Sequence, residues 1–142
     1  MKDMNRWLGN GGMPIIESVG ASFKKYGLNE DGMAFCSGTW TPTELACNPH
    51  GTAQAGIHSL ILDAAMNFAI NANLDGKDRT KATIEMKTDL IRAAVINTEY
   101  KFTGKVIRLT KQIGFGTAQI IDNQNQIVSS STGSFLLYRH TE

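Results

Sequence analysis

The 142-residue chain has only two cysteines, Cys36 and Cys47, and they form no Cys-x-x-Cys pair. Its three histidines add no spacing that would hold zinc, so neither cysteine implies a metal site. Charge is sparse: 19% of residues are charged and the net charge is +1. That balance makes no electrostatic case for nucleic acid, and no Lys/Arg run suggests a basic tail or a membrane-binding patch. No run of about 18 or more apolar residues could span a bilayer. The start, Met1-Lys2-Asp3-Met4-Asn5-Arg6-Trp7-Leu8-Gly9, lacks the apolar stretch of a signal peptide. The expectation is a cytoplasmic protein with no nucleic-acid and no membrane partner. Repeats and low-complexity segments are absent as well.

What remains is an ordinary globular composition, 42% hydrophobic. A chain of this length fits one domain, residues 1–142, and buries a core without staples. Residues 1–18 read as an N-terminal extension in which Pro14 opens a short helix to Ser18. Val19 to Tyr26 and Met33 to Trp40 read as a hairpin about the turn residues Gly27 to Gly32. Thr41 to Thr52, with two prolines and a glycine, is loop. From Gly56 to about Leu74 the apolar residues Ile57, Leu60, Ile61, Ala64, Ala65, Phe68 and Ala72 follow helical spacing. Leu62, Met66, Ala69 and Ile70 cover the opposite side, so this helix is expected to be buried almost all round. Thr83–Ile91, Val95–Leu109, Phe115–Ile121 and Ile127–Tyr138 read as strands, and short connections predict antiparallel neighbours. A curved antiparallel sheet around a central helix, an α+β arrangement, satisfies that order.

Asp63 is the only charged residue between Glu44 and Asp75, and it stands in the most apolar stretch of the chain. Burying an unpaired carboxylate costs several kcal/mol, so one persists there when hydrogen-bonded, neutralised or used in chemistry. Asn67, one turn on, offers a purely structural partner. Ahead of the acid runs Asn48-Pro49-His50-Gly51-Thr52-Ala53-Gln54-Ala55-Gly56, a polar, glycine-containing lead-in to the helix. Cys36 reads as core. Cys47 could be a nucleophile served by His50, but nothing around it signals a lowered thiol pKa. His58 lies roughly 140° round the helix from Asp63.

The stretch Asn48 to Gly56 followed by Leu62-Asp63-Ala64-Ala65-Met66 resembles the signature of hotdog-fold acyl-CoA thioesterases of the phenylacetate-pathway (PaaI-like) kind. That signature runs Asn-x-x-Gly-x-x-His-Gly-Gly, then Leu-x-Asp or Leu-Asp. Thr83 to Ala94 is similar to the family's following strand, which commonly closes on Arg-Pro-Ala. The resemblance spans roughly Glu17 to Phe135. It departs at Gln54-Ala55-Gly56, where the family most often has His-Gly-Gly, and at Thr110-Lys111, where a glycine precedes the basic residue. Glutamine keeps a donor and an acceptor but cannot carry a proton.

The resemblance implies a hotdog fold, a homodimer or dimer of dimers with sites between subunits, and hydrolysis of an acyl-CoA thioester. No cofactor is implied beyond the coenzyme A carried by the substrate. Asp63 would be general base or nucleophile; Asn48 and Thr83 would position water or thioester. Gln54 would stand in for the histidine, and the Ala55 and Gly56 amides at the helix start would hold the oxyanion. His50, Gly51, Met66 and Asn67 would contact substrate, and Arg92 and Lys111 would meet coenzyme A phosphates, since arginine suits phosphate. The strand Val95–Leu109 would help build the subunit interface. Two other classes stay open: a non-catalytic acyl-CoA-binding module, and an acyl thioester hydratase or dehydratase, which wants a catalytic histidine that Gln54 removes.

Overall fold

The computed structural model describes residues 1–141. Helix α1 (Pro14–Ser18) precedes strands β1 (Ala21–Leu28) and β2 (Ala34–Trp40), then the long helix α2 (Ala55–Asn73). Strands β3 (Arg79–Leu90), β4 (Tyr100–Leu109), β5 (Ile113–Ile121) and β6 (Ile127–Tyr138) complete the chain. All six strands join one antiparallel sheet in the order β1-β2-β4-β5-β6-β3. Helix α2 touches every one of them, so the sheet curls round it and the expected α+β architecture holds.

The core lies between α2 and the concave face of the sheet. Leu62, Met66 and Ile70 of α2 are fully buried in one core with Phe102, Ile120, Val128 and Phe135 of the sheet. Phe23 stacks on Phe68 with ring centroids 4.6 Å apart and meets Phe102 edge-on at 5.3 Å. The contact is tightest at Gly104, where a Cβ would lie 2.5 Å from the Ala65 carbonyl oxygen. Any side chain there would push helix off sheet, an overpacking that typically costs about 1–3 kcal/mol. Cys36 belongs to the same layer: its Sγ donates to the Ala65 carbonyl at 3.2 Å, and burial pushes its thiol pKa up to about 12.

Several boundaries differ from the sequence reading. Strand β4 begins at Tyr100 rather than Val95, because Asn97 takes a positive φ of 62° and the Val95 N–H is used by the Tyr100 hydroxyl. Strand β3 begins at Arg79 rather than Thr83, because β6 is long enough to pair with it from Tyr138 inward. The expectation that consecutive strands are neighbours fails once. Strand β3 pairs with β6 at the sheet edge, whereas β4 lies inside between β2 and β5. The run ending at Leu109 is therefore an interior strand and not a candidate interface edge.

Helix α2 is also less uniformly apolar than its composition suggests. Ser59, Asp63, Asn67 and Asn71 recur every four residues and so lie in one stripe. Three of them bond to β3: Ser59 Oγ to Thr88 Oγ1 at 3.0 Å, Asp63 Oδ1 to Thr83 Oγ1 at 2.9 Å, and Asn71 Nδ2 to Thr80 Oγ1 at 2.9 Å. A polar seam thus holds the edge strand on the helix. Among the described residues no strand lies beside the outer rim of β3, and Ile84 and Leu90 on this strand are 54% and 50% exposed.

Candidate active site

Asp63 sits midway along α2, and its neighbours come from the polar stripe. Oδ1 accepts from Thr83 Oγ1 at 2.9 Å and from Asn67 Nδ2 at 3.2 Å. Oδ2 has no partner among the described residues and is not sealed from solvent. The carboxylate is half-buried rather than fully buried. Desolvation raises its pKa above the ordinary aspartate value of 3.8, and the Thr83 bond opposes that rise. One oxygen is held and the other is open, the arrangement a base or a nucleophile needs.

A cleft of about 640 Å³ opens along α2 at Asn67, the residue that donates to Asp63; Asp63 and Thr83 do not themselves line it. Ala64, Asn67, Phe68 and Asn71 of α2 form one wall and the start of β3 another, while Met4, Trp7 and Met13 of the N-terminal segment close over Phe23. The N-terminal extension is therefore part of this cleft. Its course is pinned by paired backbone bonds between Gly9 and Phe23 and by the Met4 N–H donating to the Tyr26 hydroxyl at 2.8 Å.

The helix start forms a second, smaller cavity of about 310 Å³, lined by Ala53, Ala55, His58, Leu90, Ile91, Arg92 and Ala93. Gln54 is the residue before the first turn, exposed, with an extended backbone and no side-chain cap. The N–H groups of Ala55 and Gly56 have no acceptor among the described residues, as expected for an uncapped helix start. Ala55 has no positive φ, so it offers its amide as a glycine would. His58 is buried at this end: its Nδ1 lies 2.9 Å from Ser129 Oγ, Trp40 packs edge-on against the ring, and desolvation lowers its pKa.

The other residues singled out from sequence scatter. The Asn48 side chain is engaged inside its own loop, with Nδ2 donating to Thr52 Oγ1 at 2.9 Å and Oδ1 accepting from His50 N at 2.9 Å. His50 is exposed in that turn, and Gly51 has a φ of +81° that a residue with a Cβ rarely adopts. Met66 is fully buried, with its side chain against Gly116 and Gly133 of the sheet, and lines neither cleft. Arg92 donates to the Ile127 carbonyl at the helix-start cavity. Lys111 lies toward the other end of α2, where Arg139 Nε donates to its carbonyl and Arg139 Nη1 pairs with Asp78 at 3.1 Å. Within one chain these two cations do not converge. Burial raises the thiol pKa of Cys47, the opposite of what a nucleophile needs. The sequence reading missed Asn71, Thr80 and Thr88; the four-residue spacing from Ser59 was the available signal for the helix side of that seam.

Among the described residues no helix is long and apolar enough to cross a membrane. No protein-family model matches the chain, and no curated protein matches it in sequence. Solved structures do. A thioesterase from Haemophilus influenzae superposes with a TM-score of 0.79 at 13% identity, covering 92% of this chain and 87% of that one. The PaaI protein from the phenylacetic acid degradation operon of E. coli gives 0.73 at 19% identity, covering 92% and 86%. Zebrafish thioesterase superfamily member 2 gives 0.74 at 14% identity, covering 88% of each chain. Likeness at these identities speaks to architecture, and the architecture is that of PaaI and other hotdog thioesterases: the chain is a hotdog domain.

Proposed function

We propose that the protein hydrolyses acyl-CoA thioesters to a free carboxylic acid and coenzyme A. The observation that carries this reading is Asp63, a half-buried carboxylate with Oδ1 held by Thr83 and Asn67 and Oδ2 open, with Asn67 in turn lining a cleft along α2. As a base, Oδ2 takes a proton from water while the water oxygen bonds to the thioester carbonyl carbon. The tetrahedral intermediate collapses with cleavage of the C–S bond, and the leaving thiolate takes up the proton from Asp63. As a nucleophile, Oδ2 bonds to the carbonyl carbon, the C–S bond breaks to release the thiolate of coenzyme A, and water then cleaves the resulting anhydride to the free acid and the Asp63 carboxylate, its proton going to the thiolate. Either route needs donors for the oxyanion, and the unpartnered amides of Ala55 and Gly56 are suited to that.

Those amides and Asp63 cannot serve one carbonyl within a single chain. Eight helical residues separate Ala55 from Asp63, about 12 Å, whereas reacting atoms must lie about 3–3.5 Å apart. A second copy is therefore part of the proposal: its helix start would face this Asp63, in a homodimer or dimer of dimers. The unpaired rim of β3, carrying Thr83, Ile84 and Leu90, is the edge available for such pairing. Arg92 at the helix-start cavity would then lie on the coenzyme A side.

A second reading rests on the loop. With Asn48 engaged in its own turn and Gln54 in place of a histidine, the domain would bind acyl-CoA without cleaving it. Thiol release measured across aliphatic and aromatic acyl-CoA thioesters separates the two. Release that depends on Asp63 supports hydrolysis; saturable binding by calorimetry with no release from any thioester supports the binding module.

A further inference from the structure

The larger cleft carries charge that hydrolysis of a plain acyl chain does not call for. Lys2, Arg6, Lys77 and Arg79 all line it, and no aspartate or glutamate among the described residues does. None of the four is ion-paired with a carboxylate among the described residues. The nearby Asp78 is engaged elsewhere, by Arg139 Nη1 at 3.1 Å and the His140 N–H at 2.8 Å. Lys2 donates to the Asp78 carbonyl, Arg6 lies over the Trp7 ring at 4.4 Å, and Arg79 lies over Tyr138 at 4.9 Å. Desolvation lowers the Lys2 pKa first, and the charges of Arg6 and Arg79 push it the same way, against the aspartates that raise it. Lys2 is thus close enough to Arg6 and Arg79 to feel their charge.

Away from these cations the cleft is apolar, and it meets the Asp63 site at Asn67. Met4, Trp7, Met13, Phe23 and Phe68 line it, and the two asparagines on its α2 wall already use their amide hydrogens. Asn67 donates to the Asp63 carbonyl and carboxylate, and Asn71 donates to the Asn67 carbonyl and Thr80 Oγ1. Such a channel suits methylenes and offers little to the amides of a pantetheine arm. Asn71 stands eight residues beyond Asp63, about 12 Å along the helix, a distance that an extended eight-carbon diacyl chain spans only together with its terminal carboxylate oxygen and a hydrogen bond to the rim.

From this arrangement we infer that the preferred acyl group carries a second anionic group at its far end, an ω-carboxylate held by the basic rim while the thioester lies at Asp63. The inference rests on the thioesterase reading and adds the substrate class. Like charges gathered on one rim, without carboxylate partners among the described residues, set up a positive potential that favours an anionic ligand.

The test compares suberoyl-CoA with octanoyl-CoA, which differ only in the terminal carboxylate. The expected result is a kcat/KM at least about tenfold higher for suberoyl-CoA, a preference that shrinks as salt is raised. The exposed double variant Arg6→Gln, Lys77→Gln should collapse that ratio toward one through KM. Equal or faster turnover of octanoyl-CoA, or an unchanged ratio in the double variant, would overturn the inference and leave thioester hydrolysis standing. A binding arm covers the case in which no thioester is cleaved: Trp7 fluorescence is titrated with suberate, octanoate and adenosine 3′,5′-bisphosphate. Saturable suberate binding lost in the double variant supports the site, whereas binding of the bisphosphate alone assigns the cations to coenzyme phosphates and overturns it.

Discussion

Thr83 on the edge strand donates its hydroxyl hydrogen to Asp63 Oδ1 on the central helix at 2.9 Å, joining the open rim of the sheet to the one carboxylate of the helix. The bond stabilises the ionised acid and opposes the upward pull of desolvation on its pKa. Thr83→Val removes that opposition and leaves only the Asn67 donor on Oδ1, so the acid limb of kcat/KM should move to higher pH. Thr83→Ser should restore the wild-type limb. An unmoved limb in the valine variant would show that Asp63 does not set the profile.

Asp63→Asn should leave a folded protein whose turnover falls by at least about 10³, since the amide keeps the shape and loses the base or nucleophile. Stability should move the other way. Because the folded pKa of Asp63 is raised, its contribution is most favourable below the unfolded value of 3.8 and is lost as pH climbs through the folded value. The asparagine variant should therefore melt above wild type at pH 7, with the gap closing on acidification below that range. Thermal melts across pH, beside the rate measurement, check both halves.

Gln54 is exposed and caps nothing, so replacing it disturbs no packing. If this position only donates a hydrogen bond, Gln54→His should keep turnover within about tenfold, roughly 1.4 kcal/mol in barrier. A gain of several hundredfold would mean that proton transfer had been missing.

The open rim of β3 and the separation between Asp63 and the helix-start amides call for a dimer or larger assembly at micromolar concentration. Ile84→Asp should shift it toward monomer and lower turnover in the same proportion. Sedimentation that finds a fully active wild-type monomer would contradict the shared site.

Much of this protein is legible along the chain because its signals are local. Helical spacing from Ile57 to Ala72 and the turn residues between strands require no knowledge of distant partners, so α2, the hairpin and β6 appear where expected. Asp63 stands out for the same reason, as a lone charge in an apolar run. Pairing across the sheet is different: Arg79 becomes strand only because Tyr138 lies beside it, and β3 reaches the edge only because β4 and β5 fill the interior. The polar stripe Ser59, Asp63, Asn67 and Asn71 has a readable spacing, but its meaning as a seam depends on Thr80, Thr83 and Thr88 arriving opposite it. Lys2 and Lys77 share a cleft because the N-terminal segment folds back over α2. Neighbours in sequence announce an element through its period; a site made from residues 2 to 80 exists only once burial and edge pairing have brought them together.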